Sequence, residues 1–170
     1  QLTGRYARVR FSQGRYADAI RWARRAIDEA ERCSDREALA RALEFLDVAL
    51  VATGDTGGDA PAARALEIYE QLGDWLGQGH AHNDLGIRAF YQGRWLDAYT
   101  HYDASRAAFE RAGALWDAAM EHANIAELLL HWDRSDEAEP LLLQAMRTWT
   151  AAGARPELAF GQEMLGQVAM

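Results

Sequence analysis

Two histidines, His80 and His82, stand two positions apart and raise the question of a metal site. Imidazole nitrogens are common ligands of zinc and copper. Residues two positions apart in a helix point about 200° away from each other, so this pair cannot share one ion. We expect the two rings to face different neighbours. His122 follows His82 by 40 residues, a spacing at which other residues of the chain also recur, and we expect both histidines to pack between helices. The sequence therefore predicts no metal site.

The segment GDTGGDAP at residues 54–61 is the longest irregular stretch and could cradle a phosphate or a calcium ion. A phosphate-binding loop needs a lysine, and the chain contains none. An EF-hand loop starting at Asp55 would place Leu66 where the bidentate acidic ligand belongs. We therefore expect a plain loop, with Pro61 in the first turn of the next helix, and no cofactor.

The side chains that could act as nucleophiles lack the partners that catalysis needs. The four serines, Ser12, Ser34, Ser105 and Ser135, are not accompanied by a histidine and an acid in a nucleophile-elbow pattern. Without lysine the chain cannot form a Schiff base either. The sequence thus predicts no catalytic residues and a protein that is not an enzyme.

Composition favours a helical protein with a real core. The 170 residues are 49% apolar and 26% charged, with three prolines and few β-branched residues. A single cysteine, Cys33, and the lack of an apolar run of about 18 residues predict a soluble cytoplasmic protein. All 18 basic residues are arginine, a bias typical of a high-GC bacterial genome.

Charge is unevenly distributed along the chain. The net charge of −8 argues against direct binding of nucleic acid. The lack of a long apolar run likewise predicts no membrane partner. Residues 1–41 nevertheless carry 10 arginines against 6 acids, and residues 42–170 carry 8 against 20. The basic stripe of residues 21–32 is interpreted as a solvated face with ion pairs, or alternatively as a docking site for an acidic domain.

The predicted helices and turns, which would position the residues of any site, recur along the chain. The phrase FSQGRYADAIRW at residues 11–22 returns as FYQGRWLDAYTHY at residues 90–102, two units later, and other residues recur after a single unit of about 40 residues. Apolar periodicity predicts helical hairpins separated by short turns. First helices are expected near residues 3–12, 36–52, 75–91, 115–131 and 157–169, and second helices near 16–32, 61–72, 95–111 and 135–151.

Within the repeat, His82-x2-Leu85-Gly86 followed by Ala98-x3-Tyr102 resembles the tetratricopeptide (TPR) motif. A glycine inside a helix costs about 1 kcal/mol relative to alanine, so Gly86 predicts close approach of a neighbouring helix. The resemblance implies an all-α solenoid of stacked antiparallel hairpins, a right-handed superhelix with the first helices on its concave wall. Units of about 40 residues are longer than the usual TPR unit, and Ala126 replaces the glycine in the next unit.

The predicted domain organisation is one TPR-like domain over residues 1–170, with units at about 1–34, 35–73, 74–113, 114–153 and a partial unit at 154–170. The phrases LGIRAFYQGRWLDA, ALEIYEQLGD and NIAELLLHWDRSDEAEPLLLQAMRTWTAAG resemble the C-terminal repeats of bacterial signalling proteins. Those proteins join a class III nucleotide cyclase or a LuxR-type DNA-binding domain to a STAND-type ATPase. This resemblance implies a regulatory arm, cut from a larger protein.

A stack of this kind predicts a non-catalytic scaffold that binds a protein segment, or another domain of its parent chain, in its concave groove. The alternative is a small-ligand sensor arm that controls an attached ATPase, cyclase or transcription-factor domain. An enclosed apolar pocket would favour the sensor, and an open trough would favour the peptide. The expected groove residues are Arg41, Glu44, Val48, His80, Asn83, Ile87, Phe90, Tyr91, Met120, Glu127, His131, Phe160, Glu163 and Gln167.

The last predicted helix carries an apolar stripe whose partner helix is missing from the sequence. Leu158, Leu165 and Val168 share one face, with Met164 and Ala169 beside it. An uncovered stripe invites association, so a homodimer through the C-terminal helix is a further expectation.

Overall fold

The fold is an all-α solenoid in a computed structural model that describes residues 2–58 and 60–168. Those residues form helices joined by short turns, and no strand occurs among them. The helices are α1 (Leu2–Ser12), α2 (Tyr16–Arg32), α3 (Arg36–Ala52), α4 (Pro61–Leu72), α5 (Trp75–Tyr91), α6 (Trp95–Ala112), α7 (Leu115–His131), α8 (Ser135–Ala152) and α9 (Arg155–Val168). The predicted helices are confirmed, and their ends agree closely. Helix α9 begins earlier than expected because its first turn accommodates Pro156.

The helices stack as consecutive antiparallel hairpins. Each helix packs most extensively against the next one along the chain. Alternate helices also touch directly, α1 with α3, α3 with α5 and α7 with α9. Neighbouring helices are closest on the inside of a curved stack, so these contacts place the odd-numbered helices on the inner wall. We call α1, α3, α5, α7 and α9 the inner helices.

The repeat is visible in the backbone of the turns. Gly14, Gly54, Gly93 and Asp133 recur once in each successive unit, and all have φ between 56° and 79°. A second series ends the second helices at Ser34, Gly73, Gly113 and Gly153, with φ between 54° and 73°. Glycine adopts this left-handed conformation without strain. This explains why the turn sequences at residues 11–22 and 90–102 both contain glycine at the same place. In the longest loop, Pro61 opens α4 as predicted.

Close helix packing depends on pairs of a glycine and a large side chain. A Cβ added to Gly86 would lie 2.5 Å from Cε1 of Tyr102, a buried side chain of α6. Gly79 meets Phe109 of α6 at the same distance. The predicted close approach at Gly86 is therefore confirmed, and the glycines let α5 and α6 come together around these rings.

The core consists of clusters that each belong to neighbouring helices. The largest extends from α5 to α9 and surrounds Leu128, Leu142 and Trp149 of α7 and α8. Smaller clusters join α3, α4 and α5, and α1, α2 and α3. Such a core has no single centre, because each hairpin is stabilised by the hairpins next to it.

The apolar stripe of α9 is more covered than the sequence suggests. Met164 is buried, while Leu158, Leu165 and Val168 are half-buried against the cluster of α7 and α8. Ala169 lies outside the described residues. The stripe thus forms part of the core of its own chain. Less apolar surface of α9 is therefore exposed for association with a second copy of the chain. Association through α9 stays a prediction.

Candidate functional site

The inner helices carry a group of polar side chains where a core would normally be apolar. Asp47 is fully buried, Arg88 and Glu121 are each 2% exposed, and Asp84 is 8% exposed. Glu44, Asn83 and Asn124 are half-buried beside them. We call these seven residues the inner polar cluster. Burying a charged or polar group costs free energy unless partners replace water, so the partners of each member matter.

The buried ion pair of the cluster joins α3 to α5. Arg88 donates to Asp47 Oδ1 through Nη2 at 2.9 Å and to Oδ2 through Nε at 3.4 Å. The two-pronged geometry matches the planar guanidinium to the carboxylate. The third nitrogen, Nη1, has no hydrogen-bond partner within the described chain.

A row of amides connects α7 to α5. Asn124 Nδ2 donates to Glu121 Oε2 at 3.2 Å and lies 3.5 Å from Asn83 Oδ1. Asn83 Nδ2 in turn lies 3.5 Å from Asp84 Oδ1. The second carboxylate oxygen of Asp84, Oδ2, is buried and has no partner within the described chain. The row therefore ends at a carboxyl group that is only half satisfied.

The cluster holds more acids than bases. It contains four carboxyl groups, of Glu44, Asp47, Asp84 and Glu121, and one guanidinium, of Arg88, which pairs with Asp47. Burial raises the pKa of Asp84 well above its usual range, and the charges of Glu44 and Asp47 raise it further. Burial also raises the pKa of Glu121 to about 7. Perturbed carboxyl groups of this kind are typical of functional sites.

Glu44 is held by the neighbouring hairpin. The hydroxyl of Tyr69 in α4 donates to Glu44 Oε2 at 2.9 Å. Burial, together with the charge of Glu44, raises the pKa of this phenol, so Tyr69 stays a hydrogen-bond donor. The arrangement keeps Glu44 at the inner wall instead of letting it extend into solvent.

We expect Glu121→Gln to stabilise the protein increasingly as the pH rises. In the unfolded chain Glu121 loses its proton near pH 4.5, but in the native protein it keeps it to about pH 7. The native state thus binds more protons in this window, and wild-type stability falls as the pH rises through it. Glutamine keeps the hydrogen bond from Asn124 without titrating. The variant should gain about 1–3 kcal/mol over wild type between about pH 5 and pH 8.

Urea unfolding followed by circular dichroism at several pH values measures this gain. The pKa values of His82, His101 and His122 are lowered by burial in both proteins, so their opposite effect cancels in the difference. Glu139→Gln on the exposed face of α8 is the matched control and should show no pH-dependent difference. A Glu121→Gln curve parallel to wild type would show that Glu121 ionises normally.

A cavity of about 580 Å³ lies beside the cluster, between α3 and α5, and is half open to solvent. We call it the Asp84 cavity. Its walls combine two acids of the cluster with aliphatic and aromatic side chains: Asp47, Val48, Val51, Ala52, Gly54, Thr56, Asp84, Ile87 and Tyr91. A second half-open cavity, of about 680 Å³, lies among α1, α2 and α3, with Arg5, Arg8, Arg32 and Arg41 on its walls.

The expected groove residues all lie on inner helices, but they do not form one site. Val48, Ile87 and Tyr91 line the Asp84 cavity, and Glu44 and Asn83 belong to the inner polar cluster. Arg41 lines the other cavity and pairs with Glu37 at 3.3 Å.

The remaining expected groove residues are more scattered. Met120 and Glu127 are half-buried, and Phe160 and Glu163 are exposed on α9. The side chain of Gln167 lies outside the described part of the structure. His80 packs edge-on against Phe109 of α6, with 5.0 Å between ring centroids, so it is directed towards the second helix.

An aromatic group forms where α5, α6 and α7 meet. His131 stacks on Trp95 with 5.6 Å between ring centroids and lies 5.9 Å from Phe90. Tyr91, the neighbour of Phe90, is 70% exposed. Exposed aromatic side chains beside a polar row are common anchors for a bound peptide.

The histidines face different neighbours, as their spacing predicts. His82 meets His101 of α6, with 3.2 Å between the two Nδ1 atoms, and burial lowers the pKa of His82 to about 4. His122 is buried in α7. Among the residues that the structure describes, no three His, Cys, Asp or Glu side chains come together in a way that could hold a metal ion.

Sequence reasoning misses most of the inner polar cluster. It does not place Asp47, Asp84, Arg88 and Glu121 at the groove, because acids and bases in a helix normally mark its exposed face. One signal is available: Glu44 and Asn83 hold the same place in two successive units of the repeat, and Asp84 and Asn124 also hold one place in two successive units. A polar residue that recurs at one place of neighbouring units, beside apolar neighbours, indicates an inward-facing role.

Comparison with known proteins supports the fold. The crystal structure of BtubC (BKLC) from P. vanneervenii matches the chain with a TM-score of 0.75 at 20% sequence identity. The match covers 88% of this chain and 63% of the BtubC chain, so this chain spans less than two thirds of that protein. At such low identity the similarity concerns the fold alone. No family profile and no curated protein sequence matches the chain.

No helix in the described ranges, 2–58 and 60–168, is long and apolar enough to cross a membrane.

Proposed function

We propose that the chain is a non-catalytic TPR-type scaffold that binds an extended segment of a protein along its inner helices. The segment belongs to a partner or to another domain of the same parent chain, which would make this region a regulatory arm. The stacked hairpins, the contact of Gly86 with Tyr102 and the tetratricopeptide-like motif support the assignment to the TPR class. The inner wall is the surface that such a stack offers to a ligand.

The inner polar cluster is the observation that carries this proposal. Its carboxyl and amide groups occur on α3, α5 and α7, so they follow the inner wall from one hairpin to the next. Two atoms of the cluster, Asp84 Oδ2 and Arg88 Nη1, lack hydrogen-bond partners within the described chain. An extended peptide needs this combination of polar groups for its backbone and apolar pockets for its side chains. The Asp84 cavity supplies such a pocket between the inner helices α3 and α5, and the second cavity lies among α1, α2 and α3.

Peptide selection from a random library displayed on phage tests the proposal. We expect the immobilised protein to select a consensus, and the double variant Asn83→Ala/Tyr91→Ala to bind the selected peptide about 10-fold more weakly or worse. Tyr91 is mostly exposed and Asn83 makes only long hydrogen bonds, so the melting temperature should change little. Fluorescence anisotropy measures the affinity.

Leu96→Ala provides the control for this measurement. Leu96 is an exposed apolar residue on the second helix α6, away from the inner wall. Its removal should leave the affinity unchanged. Failure to select any peptide, or equal binding by the double variant, would contradict the proposal.

A small-ligand sensor is the second candidate, because the Asp84 cavity has a suitable size. Sites for small molecules enclose about 300–1,000 Å³, and the cavity measures about 580 Å³. In this function the ligand would control an attached ATPase, cyclase or transcription-factor domain. A metabolite that raises the melting temperature and displaces the selected peptides would favour the sensor.

A further inference from the structure

The Asp84 cavity contains a carboxyl group that the protein itself does not neutralise. Asp84 lines the cavity, is 8% exposed, and its Oδ2 atom has no hydrogen-bond partner within the described chain. Its other oxygen, Oδ1, receives one long hydrogen bond, from Asn83. A buried polar atom without a partner is costly, and it is seldom retained without a reason.

The groups around Asp84 make the position electrostatically negative from each side. Glu44 and Asp47 act on Asp84 from α3, and Glu121 acts on it from α7. On its own helix, Asn83 donates the long hydrogen bond, and Arg88 is bound to Asp47 through Nε and Nη2. The sum of these charges is negative, so a cation entering the cavity would relieve the repulsion.

The rest of the cavity wall selects among cations. Val48, Val51 and Ile87 provide aliphatic surface, and the ring of Tyr91 stands at the margin. A cation with a long apolar stem would pack along such a wall. Guanidinium is planar, pairs with carboxylates through two parallel hydrogen bonds and stacks on aromatic rings, and it is less strongly hydrated than ammonium.

We propose that the Asp84 cavity binds an arginine side chain of the protein segment held on the inner helices, with the Asp84 carboxylate as its acceptor. The stem of the arginine lies between the aliphatic residues of α3 and α5, and the guanidinium reaches Asp84. This inference rests on the proposed peptide-binding function and specifies the chemistry that the segment must contain.

The test compares three short peptides that differ in one side chain. Acetyl-Gly-Arg-Gly-amide, its citrulline analogue and its lysine analogue are titrated into the 15N-labelled protein and followed by NMR. Citrulline has the shape of arginine without the charge. We expect the arginine peptide to bind about 10-fold more tightly than the citrulline peptide, since a hydrogen bond to a charged group is worth at least that factor. Equal binding by citrulline or by lysine would overturn the proposal.

Asp84→Asn should abolish the preference for arginine, so that arginine and citrulline peptides bind alike within about 3-fold. Asp97→Asn, which removes an exposed acid on α6, is the control and should keep the preference. If Asp84→Asn is unfolded by circular dichroism, Val51→Trp replaces it as the test, because it fills the cavity and leaves the acids in place. A folded Asp84→Asn variant that keeps the preference for arginine over citrulline, or a folded Val51→Trp variant that binds the arginine peptide as tightly as the wild type, would overturn the proposal.

Dependence on pH adds a second readout. Burial and the neighbouring acids raise the pKa of Asp84 in the free protein, so a guanidinium that pairs with its carboxylate competes with a proton for it. The affinity for the arginine peptide should therefore rise with pH. In Asp84→Asn any remaining rise reports the other acids whose pKa burial raises, Asp47 and Glu121, and a rise equal to that of the wild type would contradict the assignment to Asp84.

These results separate the two proposals. If the phage library yields binding peptides that lack arginine, the inference about the cavity fails while the peptide scaffold stands. If acetyl-Gly-Arg-Gly-amide binds at Asp84 but the library yields no binding peptide, the scaffold proposal fails. The cavity then binds a cationic ligand that is not part of an extended protein segment.

Discussion

Replacing Arg88 with methionine is expected to lower the free energy of unfolding by about 3–5 kcal/mol. The guanidinium is the only basic group seen beside Asp47 in the described ranges, and both residues are almost completely buried. Methionine fills a similar volume but leaves the carboxyl group of Asp47 without its charged partner. The native protein must then either keep a buried charge or bind a proton, and each option costs stability. Urea unfolding monitored by circular dichroism measures the loss.

A second substitution distinguishes loss of the ion pair from loss of packing. Asp47→Leu in the Arg88→Met background removes the stranded acid, so we expect most of the stability to return. Arg64→Met is the matched control, because Arg64 and Glu31 also join two helices but are 53% and 44% exposed. Its effect should stay below about 1 kcal/mol. A single Arg88→Met variant as stable as this control would mean that water reaches Asp47.

The positions of the helices could be predicted because local sequence determines them. The turn phrases contain glycine where the backbone enters the left-handed region, as at Gly14 and Gly93, and apolar residues recur with a helical period between them. The glycine inside α5, Gly86, also predicted the close approach of a neighbouring helix, which the structure shows at Tyr102 of α6. These features can be identified from a short stretch of sequence and from its recurrence in the next units.

The inner polar cluster could not be derived in the same way, because its contacts join side chains on different inner helices. Asp47 of α3 pairs with Arg88 of α5, and Asn124 of α7 approaches Asn83 of α5. In the sequence each of these residues resembles an ordinary solvent-exposed position of a helix. The helix face that carries these residues meets a neighbouring inner helix only when the hairpins stack. That stacking buries the carboxyl groups.

The packing of glycines against large side chains also decides where a predicted side chain lies. The sequence predicts His80 in the groove, but the structure brings its ring against Phe109 of α6. The alternation of glycine and large residues explains this, because Gly79 lies against the same ring and draws this turn of α5 onto α6. Helical periodicity predicts the position of a residue around the helix with an error of about one residue. An error of that size is enough to place a packing residue such as His80 in the groove.

We expect Trp149→Ala to open the last hairpin while the first two hairpins remain folded. Trp149 is fully buried in α8, and a Cβ on Gly161 of α9 would lie 3.3 Å from its ring. Removing so large a buried side chain costs about 3–5 kcal/mol. In a solenoid each hairpin is stabilised by its neighbours, so the loss should be local. Hydrogen exchange should show protection in α8 and α9 falling by about 100-fold or more, with α2, α3 and α4 unchanged.

The control for this local opening is a tryptophan that lies outside the buried core. Trp116, in the first turn of α7, is 42% exposed, so Trp116→Ala should leave exchange in α8 and α9 close to that of the wild type. If Trp149→Ala instead lowered protection equally from α2 to α9, the chain would unfold as one cooperative unit. The core clusters, which each involve only neighbouring helices, would then be coupled more strongly than their contacts indicate.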